Sequence, residues 1–212
     1  MQINNDALPR LECRFGKLPE VTADATHGFW ENIAPSPLRE NISGSAPAQT
    51  TWIKTAWDTN EWRVLSHSQD SDAWATLTAH DAPLYTEEAV EIFVDPFGDL
   101  ASYFEIEINP LNAVCDLVLR RTRSGFRKEL AWHCKGLRAA VQKTPVNWTA
   151  ELAIPFASLG PDLPAPGRSW RVNFLRIDRP QGCEHELSAW SPTKRPNFHV
   201  PERFGFMEFV RS

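Results

Sequence analysis

The 212-residue sequence has no long hydrophobic run, since no stretch approaches the roughly 18 apolar residues that a membrane-spanning helix needs. Its first residues, Met1 to Asp6, lack both the basic and the apolar region of a secretory signal. We therefore expect a soluble protein with no membrane span. It would be cytoplasmic if Met1 is the native start, and secreted otherwise.

The sequence also lacks an excess of positive charge. It carries 22 Lys and Arg against 27 Asp and Glu, for a net charge of −5, which argues against binding to nucleic acid phosphates. It contains no phosphate-binding glycine loop, no nucleophile elbow and no HExxH motif. The four cysteines have no CxxC pairing, which argues against a zinc site.

The sequence contains 17 prolines and 10 glycines, which indicate many turns. It also contains nine tryptophans. Alternating apolar residues predict strands separated by polar turns. We predict an all-β fold, a single-domain antiparallel β-sandwich over residues 1–212, immunoglobulin- or jelly-roll-like, with about ten strands and minor helical turns. Residues 1–50 are expected to form an irregular lead segment, with a short strand near 11–15. The other predicted strands are 51–57, 61–67, 73–80, 90–95, 102–109, 146–154, 170–178 and 204–210, with one helical turn at 156–159.

The clearest prediction is a hairpin between residues 90 and 108. In its second strand, Phe104, Ile106 and Ile108 alternate with polar residues, which predicts one face in a core and the other in water. The residues expected on the solvated face are Tyr103, Glu105, Glu107 and Asn109.

A second hairpin is predicted around a turn at Ser124 and Gly125. In that register Leu119 faces Leu130, and Cys115 faces Cys134. Because a reducing compartment disfavours disulfides, we interpret the two cysteines as small buried apolar residues.

Acidic side chains cluster around the central hairpin and leave two interpretations open. Glycoside hydrolysis needs two carboxyl groups at a set separation, and Glu87 with Glu105 could supply them. A solvated acidic sheet face is the alternative. The turn containing Asp95 and Asp99 could hold calcium through its oxygens, or its aspartates could only stabilise the turn.

Four segments, in order, resemble the family 9 carbohydrate-binding modules. They begin at Tyr85 (YTEEAVEIFVDP), Tyr103 (YFEIEINP), Trp148 (WTAELAIPF) and Trp170 (WRVNFLRID). The ending with Trp190, Asn197 and Phe204 also fits, so the resemblance covers about residues 20–212.

The resemblance implies a non-catalytic β-sandwich with bound calcium, in which two aromatic rings hold a mono- or oligosaccharide. It assigns the rings to Tyr85 and Trp190, in a family where the first ring is typically Trp. The polar residues expected around the sugar are Glu87, Glu88, Arg176, Asn197 and His199. Two alternatives are a glycoside-acting enzyme and a haem module, and the second would require an axial ligand such as Met207.

Overall fold

The computed structural model describes residues 7–182 and 184–211, and these are almost entirely β-structure. The helices are α1 (Gly28–Glu31), α2 (Phe156–Leu159) and two 3-10 turns, Leu84–Thr86 and Pro201–Arg203. The strands are β1 (Arg10–Phe15), β2 (Ser36–Pro37), β3 (Arg39–Glu40), β4 (Thr51–Trp57), β5 (Glu61–Gln69), β6 (Ala89–Asp95), β7 (Ser102–Ile108), β8 (Val114–Thr122), β9 (Gly125–Glu129), β10 (Arg138–Lys143), β11 (Asn147–Pro155), β12 (Ser169–Asp178), β13 (Glu186–Ala189) and β14 (Gly205–Val210). No helix among these residues is long and apolar enough to cross a membrane.

The strands form one continuous sheet in the order β10-β11-β5-β4-β1-β14-β12-β6-β7-β8-β9, to which β2, β3 and β13 are added. β1 pairs in parallel with both β4 and β14, and every other pairing is antiparallel. The all-β prediction is confirmed. The purely antiparallel arrangement was wrong, because β1 joins the two halves in parallel. The count of about ten strands was wrong because 14 strands are present, among them the short β2 and β3 of the N-terminal segment and, further along, β10 and β13.

The main core lies between the half containing β4, β5 and β11 and the half containing β12, β6 and β7. Aromatic side chains fill much of it, among them Trp62, Trp148 and Trp170. Six of the nine tryptophans are buried, so the high tryptophan count reflects packing more than exposed binding faces.

The central hairpin is confirmed, with Val90 opposite Ile108 in the β6–β7 register. Its second face, however, is not solvated. Tyr103, Glu105 and Glu107 are all buried there, beneath a second core that contains Leu84, Phe198 and Phe204. The prediction of a solvated acidic face was therefore wrong, because the 84–86 turn and the 198–204 segment cover it.

The second hairpin has a register two residues away from the predicted one. Leu119 lies opposite Lys128, and β9 ends at Glu129, so that Leu130 is exposed. Cys115 belongs to the second core and Cys134 to the main core. Both are free and buried, as expected.

Most of the remaining predicted strands are present, as is the helical turn at Phe156–Leu159. The strand predicted at 73–80 is wrong, because those residues form an extended loop. The lead segment is less irregular than expected, since it contains β1, α1, β2 and β3. Strands β10 and β13 were also not predicted.

Candidate functional site

Three glutamates lie together on the buried second face of the central hairpin. Glu91 on β6 pairs directly with Glu107 on β7, and Glu105 lies two residues along the same strand, so its side chain points the same way. We call Glu91, Glu105 and Glu107 the carboxylate floor.

Two exposed side chains lie above this floor. The Nζ of Lys128 on β9 is 3.6 Å from Oε1 of Glu105 and 5.0 Å from the centre of the Tyr85 ring. Tyr85, on the 84–86 turn, is 47% exposed. The floor is therefore bordered on one side by an aromatic face that solvent can reach and by a cation.

His199 borders the other side. Its Nδ1 is 2.8 Å from the Tyr103 hydroxyl and 3.8 Å from Oε2 of Glu105, and its ring stacks on Phe93. Burial lowers the pKa of His199, although the charge of Glu105 acts in the opposite direction. The imidazole is thus held in place as a polar group beside the floor.

Crowding changes the protonation of the floor. Burial, reinforced by the charges of Glu91 and Glu105, raises the pKa of Glu107 to about 10. Burial and the charge of Glu105 also raise the pKa of Glu91 well above its usual value. The pKa of Lys128 is raised despite its burial, because the three carboxyl groups stabilise its charge. Near neutral pH the floor therefore contains protonated carboxyl groups beside a charged ammonium group.

Three carboxyl oxygens of the floor also lack hydrogen-bond partners. Oε2 of Glu105 and both carboxyl oxygens of Glu107 are buried and accept no hydrogen bond from a fixed donor. A proton shared between Glu105 and Glu107 would satisfy some of these oxygens. Buried polar atoms without partners are costly, and they are expected where a ligand supplies the missing groups. A protonated carboxyl can donate and an ionised one can accept, so the floor offers both kinds of partner.

Trp190 does not take part in this arrangement. It is 7% exposed, packs edge-on against Phe174 in the main core, and lies against Gly205. Tyr85 lies beside the second core instead. The expected pair of rings facing each other across a slot is therefore not formed, because Trp190 fills space between the two halves of the sheet.

Glu87 stabilises the neighbouring loop. It accepts hydrogen bonds from the backbone N–H groups of Thr76 and Leu77 and from the Thr76 hydroxyl. Burial alone would raise the pKa of Glu87, but these three hydrogen bonds outweigh it and leave the pKa below its usual value. Both carboxyl oxygens are engaged with the protein, so Glu87 holds residues 76–77 against the 84–86 turn.

Glu88 and Arg176 belong to a separate buried group. Nη2 of Arg176 lies 2.7 Å from Asp70, 3.4 Å from Asp178 and 3.6 Å from Glu88, and the side chains of Arg176 and Glu88 are fully buried. Burial raises the pKa of Glu88 to about 8. We call Asp70, Glu88, Asp178 and Arg176 the arginine cluster, and its side chains are at most 4% exposed.

The remaining predicted sugar ligands are brought only partly together. Asn197 is exposed, and its side-chain oxygen accepts from the N–H of His199. It therefore positions His199, which does border the floor. Of the seven predicted residues, Tyr85 and His199 line the floor and Asn197 supports it.

The residues present do not fit calcium at the predicted turn. Oxygens of Asp95 accept from the N–H groups of Phe97, Gly98 and Leu100, and Asp99 accepts from Ala101 and Ser102. These two carboxylates already accept hydrogen bonds from the N–H groups of their own turn, and they cannot supply the six to eight oxygen ligands that Ca²⁺ takes. The arginine cluster does not fit either, because the guanidinium already supplies the cation.

Neither Lys128 nor Glu91 was predicted as a site residue. Lys128 lies in the second hairpin, whose predicted register was wrong by two residues. The site could have been recognised from the pairing of Glu91 with Glu107, because the hairpin that contains both residues was correctly predicted. The haem alternative has no support, because Met207 is completely buried in the main core.

The continuous sheet with its two cores defines the chain as an all-β module. The family model described as carbohydrate family 9 binding domain-like matches residues 22–212. The chain belongs to this family, as its sequence indicated.

Solved structures share the fold. A family 9 carbohydrate-binding module from Caldicellulosiruptor kristjanssonii in complex with cellotriose superposes with a TM-score of 0.73 at 17% identity, covering 96% of this chain and 95% of that one. A module from the same organism in complex with glucose gives 0.70 at 16% identity, with 96% and 97% covered. Endo-1,4-beta-xylanase A of Thermoanaerobacterium saccharolyticum is 27% identical over 133 residues, which are 63% of this chain and 10% of the xylanase.

Proposed function

We propose that the chain binds a mono- or oligosaccharide without catalysing a reaction, at the carboxylate floor beneath Tyr85 and Lys128. One observation carries the assignment of the site: three buried carboxyl oxygens lack donors, and Lys128, which contacts Glu105, lies 5.0 Å from the centre of an exposed aromatic ring. Membership of the family and the sugar complexes of its structural relatives support the class of ligand.

The chemistry of a pyranose suits these groups. Its C–H face packs on an aromatic ring, and its hydroxyl groups each donate and accept hydrogen bonds. The ring would lie on Tyr85. The hydroxyl groups of the sugar would reach Glu105 and Glu107 once the Lys128 side chain has changed its rotamer. The side chain of Lys128 is 41% exposed, so it has room to move. His199 would bind at the far edge.

A glycoside-acting enzyme is the less favoured function. Glu87, one of its two carboxyl groups, is fully engaged with loop N–H groups. Glu105 and Glu107 lie on the same buried face of β7, and burial, helped by the charges of Glu91 and Glu105, raises the pKa of Glu107. We therefore assign the carboxyl groups to hydrogen bonding of a bound sugar.

The test is isothermal titration of the purified chain with glucose, xylose and cellotriose. We expect binding of at least one sugar by the parent protein, and a Kd at least about tenfold weaker in Tyr85→Ala, which corresponds to a loss of about 1.4 kcal/mol. Glu105→Gln should weaken binding as well, because it removes an ionisable acceptor from the floor.

The matched control is Phe97→Ala, because Phe97 is as exposed as Tyr85 but lies outside the floor (52% and 47%). Its Kd should equal that of the parent. The assignment is refuted if the parent binds none of the three sugars, or if Phe97→Ala weakens binding as much as Tyr85→Ala does.

A further inference from the structure

A group of two histidines and two aspartates lies away from the carboxylate floor. The group comprises His80, Asp81, Asp116 and His133, and one donor atom from each lies within 4.8 Å of all the others. His80 and Asp81 follow the extended 73–79 loop, Asp116 is on β8, and His133 follows β9. We call this group the His/Asp cluster. Three separate segments of the chain converge to form it.

The spacing of the donor atoms matches a tetrahedral ion. His80 Nε2 is 3.4 Å from Asp81 Oδ1 and 3.6 Å from Asp116 Oδ1, while His133 Nδ1 is 3.2 Å from Asp116 Oδ1 and 3.7 Å from Asp81 Oδ2. Ligands about 2.0–2.1 Å from a tetrahedral zinc ion are roughly 3.3–3.4 Å from one another. The four separations, 3.2–3.7 Å, are close to that value, with a different oxygen of Asp81 facing each imidazole. One donor from each residue thus lies near enough to the others to share a small ion.

The aspartates are held by a second layer of hydrogen bonds. Oδ2 of Asp116 accepts from the N–H of Cys134, and this leaves Oδ1 directed at both imidazoles. Oδ1 of Asp81 accepts from the N–H of Asp116. Such outer contacts orient the ligands of metal sites.

The backbone at Asp81 supports the same interpretation. Asp81 has a φ of +61°, a conformation that non-glycine residues adopt at a cost. Its N–H donates to the carbonyl of Val114 at the start of β8, which fixes the 80–81 segment against that strand. Asp116 itself is only 2% exposed on its side chain. A buried carboxylate that faces two imidazoles, each more than half exposed, forms one wall of a site that solvent can reach.

We propose that the His/Asp cluster binds a divalent transition-metal ion of the zinc type. Imidazole nitrogen together with carboxylate oxygen suits zinc and its neighbours, whereas Ca²⁺ takes oxygen ligands only. This assignment does not depend on the absent CxxC motif, which bears only on cysteine ligands. Cys134 lies nearby, but its side chain is part of the main core and its N–H, not its thiol, contacts Asp116, so we do not count it among the ligands.

The site is independent of the carboxylate floor. Cys115 and Leu117 on β8 face the second core, and Asp116 between them points to the opposite side of the sheet. Loss of one site should therefore leave the other intact.

The test uses the full-length, untagged chain after removal of bound metal with a chelator. Zn²⁺ affinity is measured by competition with a chromophoric indicator for the parent, His80→Ala, His133→Ala and the control His185→Ala. Both cluster histidines are more than half exposed (52% and 56%), so these variants should fold, which circular dichroism verifies. His185 is an exposed histidine outside the cluster.

We expect one Zn²⁺ per chain in the parent and the control. Each cluster variant should bind at least about 100-fold more weakly, because loss of an outer-layer contact alone costs 10–100-fold. Co²⁺ should give the intense visible absorption of a tetrahedral complex in the parent and the control, but not in the two cluster variants. The proposal is overturned if the parent binds no Zn²⁺, if the cluster variants bind as tightly as the control, or if equimolar Ca²⁺ displaces the ion.

Discussion

The packing of Trp190 against Gly205 gives a quantitative test of its assignment to the core. Trp190 is 7% exposed and contacts Phe174 edge-on. Removing a buried Trp side chain costs about 3–5 kcal/mol. We therefore expect Trp190→Ala to lower the free energy of unfolding by about that amount.

Gly205 allows the opposite perturbation, in which side-chain volume is added next to the Trp190 ring. A Cβ on Gly205 would lie 2.6 Å from Cη2 of Trp190 and 2.8 Å from the carbonyl oxygen of Pro9. Overpacking of this kind typically costs about 1–3 kcal/mol. In the double variant the ring is gone, so only the contact with Pro9 remains and the new methyl group fills part of the space.

The two substitutions should consequently be non-additive. We expect the double variant to be more stable than the sum of the single changes predicts, by a coupling energy of about 0.5–3 kcal/mol. The assay is urea denaturation followed by far-ultraviolet circular dichroism, which does not depend on tryptophan fluorescence. The reasoning is refuted if Trp190→Ala has the stability of the parent, or if the double variant is additive within about 0.5 kcal/mol.

Two further predictions concern the buried charges. Arg176→Met should lower the free energy of unfolding by about 3–5 kcal/mol in urea denaturation, because it leaves three buried carboxyl groups without their cation. Adding Glu88→Gln should restore part of this loss. Equal stability of the single and double variants would contradict the prediction. Glu107 has a pKa of about 10 in the folded protein, against 4.5 ordinarily, so its stabilisation is complete below about pH 4.5 and is lost as the pH rises through about 10. Thermal melting from about pH 5 to about pH 9 should therefore show Glu107→Gln gaining stability relative to the parent, and a constant difference across that range would rule out the raised pKa.

Prediction from the sequence was most successful for strands in which apolar and polar residues alternate. The alternation in 102–109 identified the strand and separated its two faces correctly, because period two is a local property of extended backbone. It could not identify what covers the second face. The 84–86 turn and the 198–204 segment lie far away in sequence, so the burial of Glu105 and Glu107 is decided by long-range contacts.

The same limit explains the errors at the candidate site. The β8–β9 register differs by two residues from the predicted one, and it places Lys128 opposite Leu119, with its Nζ 3.6 Å from Glu105. Trp190 follows a short strand, β13, that was not predicted, and nothing local distinguishes a ring that packs inward from one that faces a ligand.

What the sequence by itself determined is the all-β class, the central hairpin and the family, because these depend on alternation and on ordered segments of residues. Only the tertiary structure decided the parallel pairings of β1, the burial of the carboxylate floor and the convergence of His80, Asp81, Asp116 and His133. The physical reason is that burial, charge coupling and ligand geometry depend on distances between residues that are far apart in the chain, and those distances are set only when the sheet closes.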